Sequence, residues 1–211
     1  MSIILGILAA LVLIVWGILR KKEPAKTETP ALVKRYIHRG HSWMRETNDG
    51  DVLVGIDDFA QSLIGTIDSV QLPRLLKRVQ QGKASWIVQH GNRVVPFVSP
   101  VTGRVIEKNE MVQRNPLLIN SSPYGDGWLL RIRPSRLHTQ LNNLITGKAA
   151  QQWMELAKNQ LVRIFDATPA LMYQDGGVII KNLSDRASDD EWRRILSEFF
   201  LAEESKSNNH Q

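Results

Sequence analysis

The stretch "WIVQHGNRVVPFVSPVTGRV", residues 86–105, decides the fold of this chain. It reads as two apolar strands folded about a short polar tip, Gln89-His90-Gly91-Asn92-Arg93. Gly followed by Asn is typical of a tight turn, because both residues tolerate the positive φ that such turns need. The stretch therefore predicts a β-hairpin whose tip presents polar side chains to solvent.

Short β-like runs with close turn signals extend on both sides of this hairpin, from about residue 33 to residue 132. Strands so short and so closely spaced predict a small β-sandwich or barrel. Beyond it, helical periodicity appears at 135–145 and 148–165. The second helix has an apolar face made of Trp153, Leu156, Ala157, Leu161, Ile164 and Phe165.

The end of the chain predicts a further hairpin and a last helix. Asp175-Gly176-Gly177 is typical of a hairpin turn. Ser188 and Glu191 match a capping box that opens a helix. We therefore expect a mainly β fold with added helices, divided into an anchor (1–20), a linker (21–32), a β domain (33–145), a helix–hairpin–helix extension (146–204) and a disordered tail (205–211).

The N-terminus carries 18 uncharged residues, 2–19, followed by Arg20, Lys21 and Lys22. As a helix this run would measure about 27 Å, close to the hydrocarbon thickness of a bilayer. A cleaved signal peptide is the alternative, but no Lys or Arg precedes the run and no A-x-A site follows it. We expect a single-pass anchor in the cytoplasmic (inner) membrane. The positive-inside rule places the rest of the chain in the cytoplasm.

Composition excludes several kinds of site. The chain of 211 residues has no cysteine, which excludes disulfides, thiolate metal sites, iron–sulfur clusters and cysteine nucleophiles. A net charge of +6 suits nucleic acid, anionic lipid or an acidic protein equally. Exposed aromatics interleaved with basic strand residues are not evident, so we predict no nucleic-acid partner.

No motif indicates an enzyme. His38 and His41 are three residues apart, but no third ligand stands at matching spacing, so we predict no metal site. Asp57 and Asp58 come where a helix needs an N-cap. The chain contains no G-x-S-x-G, P-loop, G-x-G-x-x-G or H-E-x-x-H sequence, and we predict no catalytic residue.

Four stretches carry a resemblance to a known family: "HSWMR" (41–45), "VGIDDFAQSLIGTIDSVQLP" (54–73), "SPVTGRVIEKN" (99–109) and "NPLLINSSPYGDGWLLRIRPS" (115–135). Together they resemble the glycine cleavage system H protein, the lipoyl carrier of glycine decarboxylation. The resemblance implies a lipoyl-type β-sandwich. It also implies a lysine at the hairpin tip, joined to lipoate as a swinging arm that moves an aminomethyl group between enzymes.

This chain departs from the family at that tip. Counting back from Pro100 without gaps, the modified lysine falls on Asn92, and the acidic residue three before it falls on Gln89. No lysine lies between Lys83 and Lys108. We therefore expect the carrier fold without lipoate, and the hairpin-tip residues Gln89, His90, Gly91 and Arg93 as a surface for a partner.

Three functional hypotheses stay open. The first is a binding or scaffold module held on the membrane through residues 2–19, with protein partners. The second is an atypical lipoyl carrier or accessory protein of glycine cleavage or lipoate metabolism, modified at an unusual lysine. The third is a membrane-fusion-type adaptor, although the long heptad hairpins usual in such adaptors are not visible.

Overall fold

A computed structural model gives the fold of residues 34–165, 173–174, 178–179 and 183–200. The predicted anchor, the linker and the polar tail lie outside these residues. Within them, no helix combines the length and the apolar character needed to cross a bilayer.

Strands dominate the first part of the described chain, and helices dominate the last part. The strands are β1 (Arg35–His38), β2 (Ser42–Glu46), β3 (Val52–Ile56), β4 (Ser69–Gln71), β5 (Arg78–Val79), β6 (Ala84–His90), β7 (Arg93–Val98), β8 (Gly103–Lys108), β9 (Leu130–Pro134), β10 (Tyr173–Gln174) and β11 (Val178–Ile179). The helices are α1 (Asp58–Ile64), α2 (Glu110–Arg114), α3 (Leu117–Ser121), α4 (Leu137–Leu141), α5 (Gly147–Ile164), α6 (Leu183–Arg186) and α7 (Asp189–Phe199).

Two antiparallel sheets form the β part. The larger has the order β1-β2-β3-β9-β8-β5, and the smaller has the order β4-β6-β7. In the larger sheet Met44 lies opposite Val54, which in turn lies opposite Leu130, and all three side chains are fully buried. Their neighbours in sequence point to the other face, as the two-residue period of a strand requires. The predicted mixture of antiparallel β-sheet and helices is confirmed, although helices contain more of the described residues than strands do, so the expectation of a mainly β chain is too strong.

Helix α5 buries a narrower face than the sequence predicts. Ala157 and Leu161, one turn apart, are buried, whereas Leu156 is 66% exposed. Successive helical residues are 100° apart, so Leu156 falls outside the stripe that faces the core. The prediction for Leu156 is wrong. Helix α4 is also shorter than the predicted 135–145, since it covers only Leu137–Leu141. Ile145 lies outside it and exchanges backbone hydrogen bonds with Ile37.

The two predictions for the end of the chain agree with the structure where it is described. Strands β10 and β11 pair antiparallel, and their predicted turn at 175–177 lies outside the described residues. Helix α7 begins with the predicted capping box, in which Ser188 and Glu191 bond each other's backbone N–H. The hydrogen bonds from Ser188 lower the pKa of the Glu191 carboxyl.

His38, at the end of β1, is expected to make the stability of the protein depend on pH. Its side chain is buried, and its Nδ1 accepts a hydrogen bond from the Gly40 N–H at 3.1 Å, which requires an unprotonated nitrogen. Burial lowers the pKa of His38. As pH falls through about 6.5, the unfolded chain therefore binds the proton first, and the free energy of unfolding decreases until the folded pKa is reached.

Chemical denaturation between about pH 7.5 and pH 5 measures this effect. We expect His38→Gln to lose less stability over that range than the wild type. His138→Gln, at an exposed position on α4, is the control and should keep the wild-type dependence. An identical pH dependence in His38→Gln and wild type would contradict the prediction.

Candidate functional site

The predicted hairpin is formed by β6 and β7. His90 lies opposite Arg93 in the register, so Gly91 and Asn92 are the two loop residues. Gly91 has a φ of 53°, the left-handed conformation that two-residue hairpin loops require at their first central position. The tight turn predicted from Gly91-Asn92 is confirmed.

Hydrogen bonds hold the backbone of this loop. The Gly91 N–H donates to Asp68 Oδ2 at 2.6 Å, and the Gln89 side-chain amide donates to the Gly91 carbonyl at 3.0 Å. Asn92 is exposed at the tip. The loop is thus fixed by its neighbours, while Asn92 itself faces solvent.

The C-terminal segment contacts both residues that flank the loop. His90 Nε2 lies 2.7 Å from Asp185 Oδ1, at the end of α6. The Arg93 guanidinium donates to Asp189 Oδ1 at 2.8 Å and to the Ala187 carbonyl at 2.9 Å, at the start of α7. We call Asp185, Ala187 and Asp189 the tip clamp. It ties the hairpin to a part of the chain that is far away in sequence.

The side-chain contacts of the tip clamp, of which Arg93–Asp189 is an ion pair, fix the position of the hairpin but contribute little to stability. The side chains of Asp185 and Asp189 are 52% and 82% exposed, so water and salt screen both pairs. Pairs of this kind contribute at most about 1 kcal/mol. The Arg93 guanidinium also lies over the Trp192 ring, 5.4 Å from its centroid, and Trp192 is buried.

Apolar burial contributes most to holding the C-terminal segment. Its buried side chains are Leu183, Ala187, Trp192, Ile195, Phe199 and Phe200. Phe200 meets Phe97 of strand β7 edge to face, with ring centroids 5.2 Å apart. Ser184, also buried, donates a hydrogen bond to the Ile64 carbonyl at the end of α1. The segment therefore packs on the β domain and continues its core.

A second group of polar residues lies inside the protein. His41 Nδ1 is 2.8 Å from Asp57 Oδ2, and neither side chain is exposed. The other carboxylate oxygen of Asp57 accepts from the Ala60 N–H, which confirms the predicted N-cap of α1. Burial, together with Asp57 and Asp58, raises the pKa of the Tyr124 phenol.

Aromatic rings close this pair off from solvent. The His41 ring stacks on Phe59 at 4.5 Å and faces Trp153 at 4.7 Å, with Phe199 and Phe200 beyond. His38 Nδ1 bonds the Gly40 N–H instead of sharing a site with His41. The described part of the chain contains no group of three His, Cys, Asp or Glu suited to a metal ion. His41 and Asp57 brace β2 against α1.

The sequence did not reveal the partners of the hairpin tip. Asp185 and Asp189 are 95 and 96 residues from the side chains they bond, and no spacing rule links residues so far apart. The capping box at Ser188 was the one local signal, because it placed a helix start beside Asp189. That Gln89, His90, Gly91 and Arg93 form a partner surface, and that Asn92 replaces the modified lysine, stay predictions.

Comparisons with known proteins agree on one family. The family model described as Glycine cleavage H-protein matches residues 35–157. A probable glycine cleavage system H protein of Thermococcus gammatolerans is 35% identical over 120 residues, covering 57% of this chain and 89% of the relative. The glycine cleavage system H protein of Magnetococcus marinus is 34% identical over 128 residues, covering 61% and 90%.

A solved structure matches the same region. The crystal structure of a glycine cleavage system H protein from Mycobacterium marinum superposes with a TM-score of 0.51 at 30% sequence identity. The match covers 57% of this chain and 96% of that one. The matched family region ends at residue 157, so the tip clamp lies beyond it.

Proposed function

Since the chain belongs to the glycine cleavage H-protein family, we propose that it is a membrane-anchored member that carries no lipoate. In this proposal it acts as a binding or scaffold module for protein partners. The family fold supplies position and surface, whereas catalysis belongs to the enzymes that a carrier serves.

The observation that carries the proposal is the chemistry of the hairpin tip. Asn92 is the exposed side chain of the loop, and its amide nitrogen is not a nucleophile. The chain has no lysine between Lys83 and Lys108, so the whole hairpin lacks an amine. The residues at the tip therefore do not fit lipoate.

The tip clamp supports the same conclusion by geometry. A carrier hairpin must enter the active sites of its partner enzymes with its tip exposed. Here His90 and Arg93 are already bonded to Asp185 and Asp189. A protein that docks at this end of the molecule would meet a composite surface, made by the hairpin loop together with α6 and the start of α7.

The uncharged run at 2–19 supports an anchor in the cytoplasmic membrane, and Arg20, Lys21 and Lys22 support a cytoplasmic domain.

Because the chain has no cysteine, a single Ser207→Cys substitution can report its orientation. We expect the full chain to resist alkaline extraction from membranes. We also expect the thiol introduced at position 207 to react with an impermeant maleimide only when the cytoplasmic side is accessible. Extraction by alkali would contradict the anchor.

A lysine introduced at position 92 tests whether the substitutions at the hairpin tip alone prevent lipoylation. We expect the wild type to remain unmodified by a lipoate ligase, and the double variant Asn92→Lys, Gln89→Glu to gain a lipoyl group. Intact-protein mass spectrometry measures the gain, with an ordinary H protein as the positive control. If the double variant stays unmodified while the control is modified, the hairpin surface has diverged as well as its tip.

An atypical carrier is the second candidate, and the names of the relatives favour it. The relatives described above are all called glycine cleavage system H proteins, or probable ones. In that case the lipoyl group would sit on a lysine outside the hairpin. The mass of the native protein distinguishes the two candidates.

A further inference from the structure

We infer that the turn between β4 and β5, together with one arginine of β8, docks on an anionic lipid bilayer. We call this surface the leucine turn; it consists of Arg74, Leu75, Leu76, Lys77, Arg78 and Arg104. The inference goes beyond the proposed function, which anchors the chain but assigns no lipid contact to its folded domain.

Hydrogen bonds hold the leucine turn in a strained backbone conformation. The Lys77 N–H donates to the Arg74 carbonyl at 3.1 Å and closes the turn. The Leu76 N–H donates to the Val105 carbonyl, and the Val105 N–H donates to the Lys77 carbonyl, so both sides of the turn are tied to β8. Leu76 has a φ of 65°, which is unfavourable for a residue with a branched side chain. Such strain is concentrated at functional positions.

The strained backbone presents two apolar side chains to water. Leu75 is 53% exposed and Leu76 is 59% exposed, side by side at the tip of the turn. An exposed leucine alone needs no explanation. Two adjacent exposed leucines, on a turn held in an unfavourable backbone conformation, indicate a surface that contacts another apolar environment.

Basic residues flank these leucines in sequence. Arg74, Lys77 and Arg78 are exposed, and none of them forms an ion pair with another described residue. Arg78 lies opposite Arg104, which lies opposite Arg133 in the next strand, so three arginines form a row across the sheet. Like charges in directly opposite positions repel each other. Of the three, only Arg133 is compensated within the described chain, by Asp51 at 3.1 Å.

All the charged residues in a long segment around the turn are basic. Residues 69–106 contain six Lys or Arg residues and neither Asp nor Glu. An anionic headgroup layer complements such a surface, and juxtamembrane cations are attracted to it. Long basic side chains can stay among the headgroups while their neighbouring leucines enter the acyl boundary.

A bilayer fits these features better than an acidic protein does. Cations precede and follow the two leucines in sequence, which suits a fluid layer of phosphates. The turn offers no carboxylate to fix a protein partner in one register. If the proposed anchor holds, the 12 residues of the predicted linker, 21–32, connect it to the folded domain. Because 12 residues cannot span more than about 43 Å even when fully extended, this connection keeps the bilayer within reach of the domain.

Fluorescence of a single label on the full chain tests the contact. The chain has no cysteine, so Leu75→Cys can carry an environment-sensitive dye without further changes. Met111→Cys, 52% exposed on α2, is the matched control. Each labelled chain is measured in native membranes and after reconstitution with vesicles of phosphatidylcholine alone or of phosphatidylcholine with phosphatidylglycerol.

We expect a blue shift and a several-fold loss of iodide quenching at position 75, only in vesicles that contain phosphatidylglycerol. The label at position 111 should remain equally quenchable in both. Adding Arg74→Glu, Lys77→Glu and Arg78→Glu should restore quenching at position 75. Alkaline extraction of the same samples reports the anchor separately, so either proposal can fail without the other.

Three outcomes would overturn the inference. The label at position 75 could stay as quenchable as the one at 111 with phosphatidylglycerol present. The label at position 75 could be protected from iodide equally in the two kinds of vesicle, which would show that anionic lipid is not needed for the contact. Alternatively, it could be protected only in native membranes that retain their proteins, which would point to a protein partner.

Discussion

Phe200→Ala is expected to lower the free energy of unfolding by about 4 kcal/mol, the usual cost of replacing a buried phenylalanine by alanine. Phe200 follows the last turn of α7 and is fully buried, with its ring 5.2 Å from that of Phe97 and 6.1 Å from that of His41. The substitution would leave a cavity at the point where the C-terminal segment meets strand β7.

Equilibrium denaturation of the full chain measures this loss. Leu156→Ala is the control, because Leu156 is 66% exposed on α5 and its truncation should change stability by less than about 0.5 kcal/mol. A loss below about 1 kcal/mol for Phe200→Ala would mean that the C-terminal segment is not part of the core. The residues of the tip clamp would then lie on a segment that does not pack stably on the β domain.

Asp57→Ala is expected to lower the free energy of unfolding by about 3 kcal/mol, the sum of two losses. The substitution removes the N-cap of α1, which contributes about 1 kcal/mol. It also leaves His41 Nδ1 buried without its partner, and an unsatisfied buried group costs about 1–3 kcal/mol. Both losses arise at one carboxylate whose oxygens accept from the Ala60 N–H at 2.9 Å and contact His41 at 2.8 Å.

Asp57→Asn separates this explanation from a simple loss of volume. An asparagine retains an oxygen that can cap the helix and a second polar atom that faces His41. We expect it to recover more than half of the stability lost in Asp57→Ala, again measured by denaturation. Equal losses in the two variants would contradict the contributions of the cap and of the buried pair.

Local patterns predicted the local features of this protein. The hairpin at 86–105, the N-cap at Asp57 and the capping box at Ser188 each depend on residues close together in sequence, and each appears in the structure. The resemblance of four stretches predicted the family, because residues spread over the β domain keep the family's order and spacing.

Contacts between residues that are far apart in sequence were not predicted. The pairing of His41 with Asp57 depends on how β2 meets α1, whereas sequence patterns relate each residue only to its own neighbours. The tip clamp depends on α6 and α7 folding back onto the hairpin, which neither composition nor periodicity reports. Leu156 was misassigned because an apolar residue at the border of a helical stripe can point to either side.

The central claim is that the hairpin of an H-protein fold has become a surface without a swinging arm. The intact mass of the full chain, purified from its own membranes where lipoylated proteins are present, tests this most directly. The mass calculated from the sequence, with no lipoyl increment, is the predicted result. A lipoyl adduct on any lysine, such as Lys83 or Lys108 beside the hairpin, would contradict it.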